Sequence, residues 1–238
     1  RHTRYISVTG VQTCALPISW YAERFRAAGV DPERFGSLEA LAPYPLLTKD
    51  DLLRYREAMV NPAIPANQRL YLTTGGSSGI PVGFYLQKGI SRAKEQAFLE
   101  AQFERKGFRI GDRVVVIRGG VTSSRADGRI STYDATRNRL IVSSYHLTIE
   151  RLPEYVEVIR RFRPQHLHTY PSAALLLARG LEQTGLSLGV PLTSVLCGSE
   201  KLALSSQRYL ERIFGAPVGH WYGHSERVVL AGQGRTSA

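Results

Sequence analysis

The stretch that most constrains the fold runs from Gln165 to Gly223. Short apolar blocks, "QHLHTY", "TSVLCG" and "PVGHWYG", alternate there with the helical blocks "SAALLLARGLEQTG" and "LSSQRYLERIFG". The helical blocks close on Gly185 and Gly215, where a left-handed residue can end a helix. Strand–helix–strand–helix–strand order implies parallel strands joined by crossover helices, since parallel neighbours cannot be linked by a tight hairpin. Tyr155, Ile159 and Phe162 at helical spacing place another helix before this stretch, and "DRVVVIRGG" reads as a further buried strand. The fold class expected from these patterns is α/β.

Upstream, a helix is expected over 20–28, closed by Gly29. Thr48 with Asp51 forms a capping-box start, followed by an apolar stripe of Leu52, Leu53 and Tyr55. Strands are expected over 69–74 and 82–86, a long helix over 88–106 closed by Gly107, and strands in "DGRISTYD" and "NRLIVSSY". The 238 residues, 43% of them hydrophobic, suffice for a substantial core. No apolar run approaches the ~20 residues of a membrane span. The formal charge of +11 points to anionic partners: phosphates, nucleic acid or a membrane surface.

Residues 1–19 stand apart. "VTGVQTCALPIS" is too polar at Thr9, Gln12 and Thr13 for a signal-peptide core. It is similar to one reading frame of a common sequencing adapter, so 1–19 is expected to be foreign to the domain. Setting it aside leaves Cys197 as the lone thiol, with no disulfide framework or zinc spacing, and a reducing, cytoplasmic compartment is expected.

The turn "TTGGSSGIP", from Thr73 to Pro81, exposes backbone N–H groups and hydroxyls, a combination that can wrap an anion such as a polyphosphate. A Walker-type phosphate loop is excluded because no lysine–hydroxyl pair ends the turn. Gly75 to Gly79 matches the G-x-S-x-G nucleophile elbow of serine hydrolases. That motif needs a strand, a sharp turn and then a helix, whereas "VGFY" continues as strand. Three further segments fall at the carboxyl ends of expected parallel strands, where such sheets bind ligands: "YPS" at Tyr170, "CGSEK" at Cys197 and "WYGHSE" at Trp221.

These residues carry a resemblance. "YLTTGGSSGIPVGFY" resembles the phosphate-binding signature of acyl-adenylating (AMP-binding) enzymes, "WYGHSE" their Tyr-Gly-x-Ser/Thr-Glu motif, and "LCGSEKL" the loop that flanks the adenine. "PLLTKDDL" and "HLHTYPSAALLLARGL" are similar to phenylacetate–CoA ligase and its capsule-biosynthesis relatives. The resemblance implies stacked sheets with crossover helices over residues 20–232. This would be the N-terminal part of such an enzyme, without the ribose-binding aspartate, the arginine after it and the small lysine-bearing domain that follows. Residues 233–238 do not resemble the family's continuation and are expected to be a non-native tail. The activity implied is ATP-dependent activation of a carboxylic acid to an acyl-adenylate, then transfer to a thiol such as coenzyme A.

By the same resemblance, Thr73, Thr74, Gly75, Gly76, Ser77, Ser78 and Gly79 hold the β- and γ-phosphates, with Thr73 counted as catalytic. Gly198, Ser199 and Glu200 line the adenine face. Tyr222, with Gly223 and Ser225, packs beside the base, and Glu226 is catalytic through a bound Mg²⁺. Tyr145, His146, Tyr170 and His224 are candidates for the acyl pocket. His166 and His168 share one face of a strand but lack a third metal ligand in the sequence pattern, and Lys201 reads as a loop residue. The rival class is a non-catalytic polyanion-binding module built on Arg105, Lys106, Arg109, Arg113, Arg160, Arg161 and Arg163. No nucleic-acid motif accompanies these residues, and nucleic acid is not an expected partner.

Overall fold

The structure is a computed structural model that describes residues 18–31, 37, 39–74, 79–119, 130–227 and 229–233. The chain divides into two compact units, residues 1–93 and 94–238. Among the described residues no helix is long and apolar enough to cross a membrane.

In the first unit, helix α1 (Ser19–Ala27) opens on Ile18 as N-cap and closes near Gly29, whose φ is +66°. Ile18 is buried, so the last two residues of the segment expected to be foreign belong to this packed start, while residues 1–17 lie outside the described residues. Helix α2 (Lys49–Tyr55) is entered through the expected capping box. The Asp51 N–H donates to Thr48 Oγ1 at 3.1 Å, and the Thr48 N–H donates to Asp51 Oδ2 at 3.0 Å. The apolar stripe expected on it is only partly covered: Leu53 is exposed, Leu52 is half-buried, and Tyr55 is exposed although its ring lies 6.0 Å from that of Trp20. Strands β1 (Arg69–Thr73) and β2 (Gly83–Gln87) pair antiparallel, Thr73 opposite Gly83. The glycine-serine turn therefore joins two strands.

Helix α3 (Ser91–Glu104) crosses the boundary between the units and is shorter at both ends than expected. The second unit holds β3 (Val114–Arg118), β4 (Ser131–Asp134), β5 (Arg139–Ser143), helix α4 (Leu152–Phe162), β6 (His166–Thr169), helix α5 (Pro171–Thr184), β7 (Ser194–Cys197), helix α6 (Leu204–Phe214), β8 (Val218–Gly223) and β9 (Leu230–Gly232). Its sheet runs β4-β5-β3-β6-β7-β8-β9. The inner pairs are parallel and the outermost pair on each side is antiparallel. Both α5 and α6 end on a left-handed glycine, Gly185 and Gly215, as their sequences imply. Strand β9 was not read from the sequence. Gln233, the first residue of the expected non-native tail, donates from its backbone N–H to the His220 carbonyl and from its side chain to Gln207.

One face of the sheet buries Val115, Ile117, Leu167, Val195 and Val218 under α4, α5 and α6. The other packs Val114, Leu196 and Trp221 against Leu99 and Phe103 of α3 and against Phe108. Strands β6 and β7 are buried at every position. At the amino edge of the sheet, His166 Nε2 donates to Asp112 Oδ2 at 3.1 Å and its Nδ1 pairs with Ser194 Oγ at 2.8 Å. Asp112 also accepts from the Arg109 N–H and from Gln165. Burial pushes the Asp112 carboxyl up, but the Arg109 N–H, His166 and Gln165 outweigh it and hold the group below its ordinary value.

This network generates a prediction. Asp112→Ala strips partners from a buried imidazole and should destabilise the domain by about 1–3 kcal/mol at pH 7, measured by denaturant unfolding. A carboxyl held low in the folded state adds stability above its ordinary value, near pH 4, and that stability is lost as the pH falls through the folded value. The gap between wild type and variant should therefore narrow in acid, and a constant gap would show that the charge of Asp112 is not what matters.

Candidate functional site

The strands β5, β3, β6, β7 and β8 end on a common edge. The chain leaves β3 toward β5 on one side and leaves β6 toward β7 on the other. The carboxyl ends of β3 and β6 thus flank a topological switch point, the crevice in which open α/β sheets bind ligands.

Arg118, the last residue of β3, stands at this point. Its guanidinium lies over the Tyr170 ring, Cζ 4.6 Å from the centroid. Nη1 reaches His168 Nε2 at 3.3 Å, and Nη2 donates to Ser199 Oγ at 2.5 Å. His168 packs edge-on against Phe103, with ring centroids 5.1 Å apart. Burial first, then the Arg118 and Arg139 cations, push its imidazole down to about 3. His168 is therefore neutral at neutral pH, and its Nε2 lone pair is free to accept from the Arg118 guanidinium. Arg118 was not singled out in the sequence. The available signal was a cation closing the apolar run "VVVI" immediately before Gly119 and Gly120.

The loop after β7 is held from several sides. A Cβ on Gly198 would fall 2.0 Å from Trp221 Nε1, so only glycine lets the indole close over this backbone. That indole nitrogen is buried without a hydrogen-bond partner among the described residues. Ser199 has a φ of +70°, uncommon for a residue with a side chain. The Glu200 carboxylate accepts from the Ser172 N–H at 2.8 Å and from Ser172 Oγ at 2.9 Å. It thereby occupies the N-terminus of α5, where unpaired N–H groups favour a negative charge. His220 Nε2 donates to the Glu200 carbonyl at 2.8 Å. Cys197 is fully buried, and desolvation pushes its thiol up to about 12, which leaves no thiolate at neutral pH.

In the "YGHSE" segment, Tyr222 and Gly223 end β8, and His224, Ser225 and Glu226 open the connection to β9. Tyr222 is exposed on β8, opposite Ala231. The Arg227 N–H donates to the His224 carbonyl, closing a turn over Ser225 and Glu226. The Val229 N–H donates to His224 Nε2 at 3.2 Å, which fixes the proton of a neutral ring on Nδ1, and Nδ1 donates to Glu226 Oε2 at 2.9 Å. Arg227 pairs with Glu95 of α3 at 2.6 Å and anchors the loop. Glu226 therefore has one oxygen committed to His224. The sequence signalled both residues but not their bond.

Other expected residues are distributed as follows. Tyr145 is exposed beside Gly119, where an added Cβ would fall 2.8 Å from the Tyr145 hydroxyl, and His146 is exposed. Thr74 lies in the first unit, where its Oγ1 accepts from the Val82 N–H at 3.0 Å. Thr73 ends β1, and Gly79 has a φ of +115°. Gly75, Gly76, Ser77 and Ser78 lie outside the described residues. His166 and His168 do not share a site: one is satisfied at the amino edge and the other at the carboxyl edge. Among the described residues no cluster of His, Cys, Asp and Glu could hold a metal by itself.

The arginines of the rival reading are largely engaged. Arg160 donates to the Ser187 and Leu188 carbonyls, Arg113 to the Arg163 carbonyl, and Arg161 pairs with Glu157.

No protein-family profile matches the chain. Protein CapK of Staphylococcus aureus is 25% identical over 184 residues, covering 76% of this chain and 40% of that protein. Among solved structures, 2-hydroxyisobutyryl-CoA ligase in an open conformation with 2-HIB-AMP and CoA matches with a TM-score of 0.64 and 20% identity, over 91% of this chain and 52% of its own. The same ligase in the postadenylation state with 2-HIB-AMP gives a TM-score of 0.65 and 19% identity, over 92% and 48%. The likeness is one of fold, and it agrees with the fold implied by the resemblance to acyl-adenylating enzymes. The chain spans about half the length of these ligase structures and less of CapK.

The His168 environment generates a prediction. Its imidazole should remain neutral in ¹⁵N NMR spectra from pH 8 to about pH 4. Because the folded value lies below the ordinary 6.5, stability is fully present above 6.5 and is lost as the pH falls from there toward 3. A His168 titration near 6.5 would mean that its Nε2 is not committed to Arg118.

Proposed function

We propose that the protein to which this chain belongs activates a carboxylic acid with ATP, forming an acyl-adenylate, and passes the acyl group to a thiol, coenzyme A in the ligase whose fold it shares. The carrying observation is the carboxyl edge itself. The "CGSEK" and "YGHSE" loops stand side by side on adjacent parallel strands, beyond a switch point, in a chain with the fold of an acyl-CoA ligase.

In this reading the β- and γ-phosphates are wrapped by Thr73, Thr74 and the glycine-serine turn through Gly79. Gly198, Ser199 and the Glu200 backbone border the adenine, with the exposed Tyr222 ring beside it and Gly223 and Ser225 shaping the strand end. Tyr145, His146, Tyr170 and His224 border the acid. Glu226 suits Mg²⁺, because a magnesium ion that takes most of its ligands from phosphates and water needs few protein carboxylates, and Glu226 Oε1 makes no bond to His224. When bound, the ion would neutralise charge building on the phosphates. The His224 Nδ1–H holds the Glu226 carboxylate in orientation, as second partners commonly do for metal-ligating groups. A carboxylate oxygen of the acid attacks the α-phosphorus and pyrophosphate leaves. The thiol then attacks the acyl carbon and AMP leaves.

A serine hydrolase is disfavoured because the G-x-S-x-G turn lies between antiparallel strands and not before a helix. The polyanion-binding reading is disfavoured because Arg113 and Arg160 spend donors on backbone carbonyls.

The test is acid-dependent ATP–pyrophosphate exchange by the longer protein over a panel of acids. Glu226→Gln should keep the loop's shape and lower exchange by ~10²–10³, and exchange unchanged by this substitution would remove Glu226 from the site. The 238-residue chain, about half the length of the ligase structures, should by itself give no measurable exchange. Robust exchange by the chain alone would show that the remaining half is dispensable.

A further inference from the structure

The group at the switch point that the proposed function leaves without a task is Arg118. Its partners among the described residues are all neutral: the His168 imidazole, the Ser199 hydroxyl and the Tyr170 ring. A guanidinium carries more N–H donors than these contacts use, arranged in a fork that matches a planar carboxylate. The acidic side chain on the adjoining loop, Glu200, has both carboxylate oxygens on Ser172. Arg118 thus presents a full, oriented positive charge, half-buried at the end of a buried strand, with no carboxylate to neutralise it among the described residues. Taking a cation partly out of water without a counter-charge is unfavourable, and a ligand anion would supply the missing charge.

The surroundings fix the guanidinium before any ligand arrives. The neutral Nε2 of the buried His168 ring holds one arm. Ser199 Oγ holds the other from a residue whose left-handed backbone is maintained between the Gly198–Trp221 contact and the Glu200–Ser172 bonds. The ring of Tyr170 supports the plane from one side. Side chains that keep an arginine in one rotamer without neutralising it describe a preorganised anion receptor.

We propose that Arg118 binds an anionic group of the acid substrate other than the carboxylate that is activated, so that the substrate is a dicarboxylic or similarly dianionic acid. This rests on the adenylation reading for the word substrate, but not for the anion site. The reacting carboxylate loses its charge as it attacks phosphorus, so a strong fixed cation upon it would stabilise the ground state and slow the step. A charge that persists through both half-reactions gains from Arg118 without that cost.

The test uses the 238-residue chain and direct binding, with no nucleotide and no turnover. The probes are malonate, succinate and glutarate, with butyrate as the four-carbon acid lacking the second charge, and inorganic phosphate. The readout is the His168 imidazole ¹⁵N shift, backed by calorimetry. At least one dicarboxylate should bind saturably, roughly tenfold or more tighter than butyrate. Arg118→Gln should weaken it roughly 10- to 100-fold. Arg118→Lys keeps the charge without the fork and should fall between the two, and it carries the test if the glutamine variant does not fold.

Butyrate as tight as the dicarboxylates, with both weakened by Arg118→Gln, would assign Arg118 to the reacting carboxylate and overturn the proposal. Phosphate displacing the dicarboxylates and binding tighter would assign Arg118 to the nucleotide and overturn it equally. So would the absence of dicarboxylate binding at millimolar concentration, or binding indifferent to both substitutions. Loss of pyrophosphate exchange in the longer protein with dicarboxylate binding intact would instead remove the adenylation reading and leave the anion site.

Discussion

The constraint on which the second unit depends is the parallel ladder β5-β3-β6-β7-β8. A parallel sheet reached through crossover helices is covered on both faces, so its inner strands must be apolar on both sides or must satisfy each polar group locally. Strand β7 takes mainly the first course, with Val195, Leu196 and Cys197. Strand β6 takes the second. His166 and His168 point to the α3 face, where their rings pack edge-on against Phe108 and Phe103 at 5.5 and 5.1 Å. A ring of that size fills the layer as a small aromatic would, but each imidazole nitrogen still needs a partner. The strand is short enough for each ring to find one at an edge: Asp112 at the amino end, Arg118 at the carboxyl end.

This arrangement couples packing to chemistry. The cation at the carboxyl edge depends on a neutral His168, and His168 is neutral because the layer around it is dry. The loops beyond β6 and β7 then lock to one another through Glu200 and Ser172, and to β8 through His220 and the Gly198–Trp221 contact. None of these bonds lies within a strand or helix. Together they hold an irregular segment, including the left-handed Ser199, on a rigid scaffold. The crevice lined by Gln102, Phe103, Lys106, Gly219 and Trp221 has a volume of about 10 Å³, room for about one water and for no larger ligand.

What the sequence made legible was set by local physics. Gly185 and Gly215 ended helices because only a residue tolerant of positive φ closes them cheaply, and the Thr48–Asp51 box could be read because its partners are three residues apart. The alternation from Gln165 to Gly223 fixed the crossover order. Other features depended on partners remote in sequence. Arg118 acquires its role from residues 50 and 81 positions away. Strand β9 is a three-residue edge strand defined by pairing with β8 and not by any pattern of its own. On α2, periodicity correctly indicated a helix, but Leu53 and Tyr55 remain exposed because a stripe specifies which face could be buried, not what covers it.

The two edges of β6 show how similar side chains acquire opposite uses. At the amino edge, Ser194, His166 and Asp112 are linked in the order of a hydrolytic triad, at 2.8 and 3.1 Å. A nucleophile must meet its substrate, and Ser194 is 0% exposed at the start of an inner strand. Its hydroxyl can serve only His166, and the carboxylate closes the network on the Arg109 N–H and the Gln165 amide. Such a closed set of donors and acceptors contributes stability and leaves Ser194 no part as a nucleophile. At the carboxyl edge the balance is left open: Arg118 is oriented by groups that accept its hydrogens without cancelling its charge. The sheet places this group, which no carboxylate among the described residues neutralises, where the strand order diverges, the position at which open α/β sheets bind ligands.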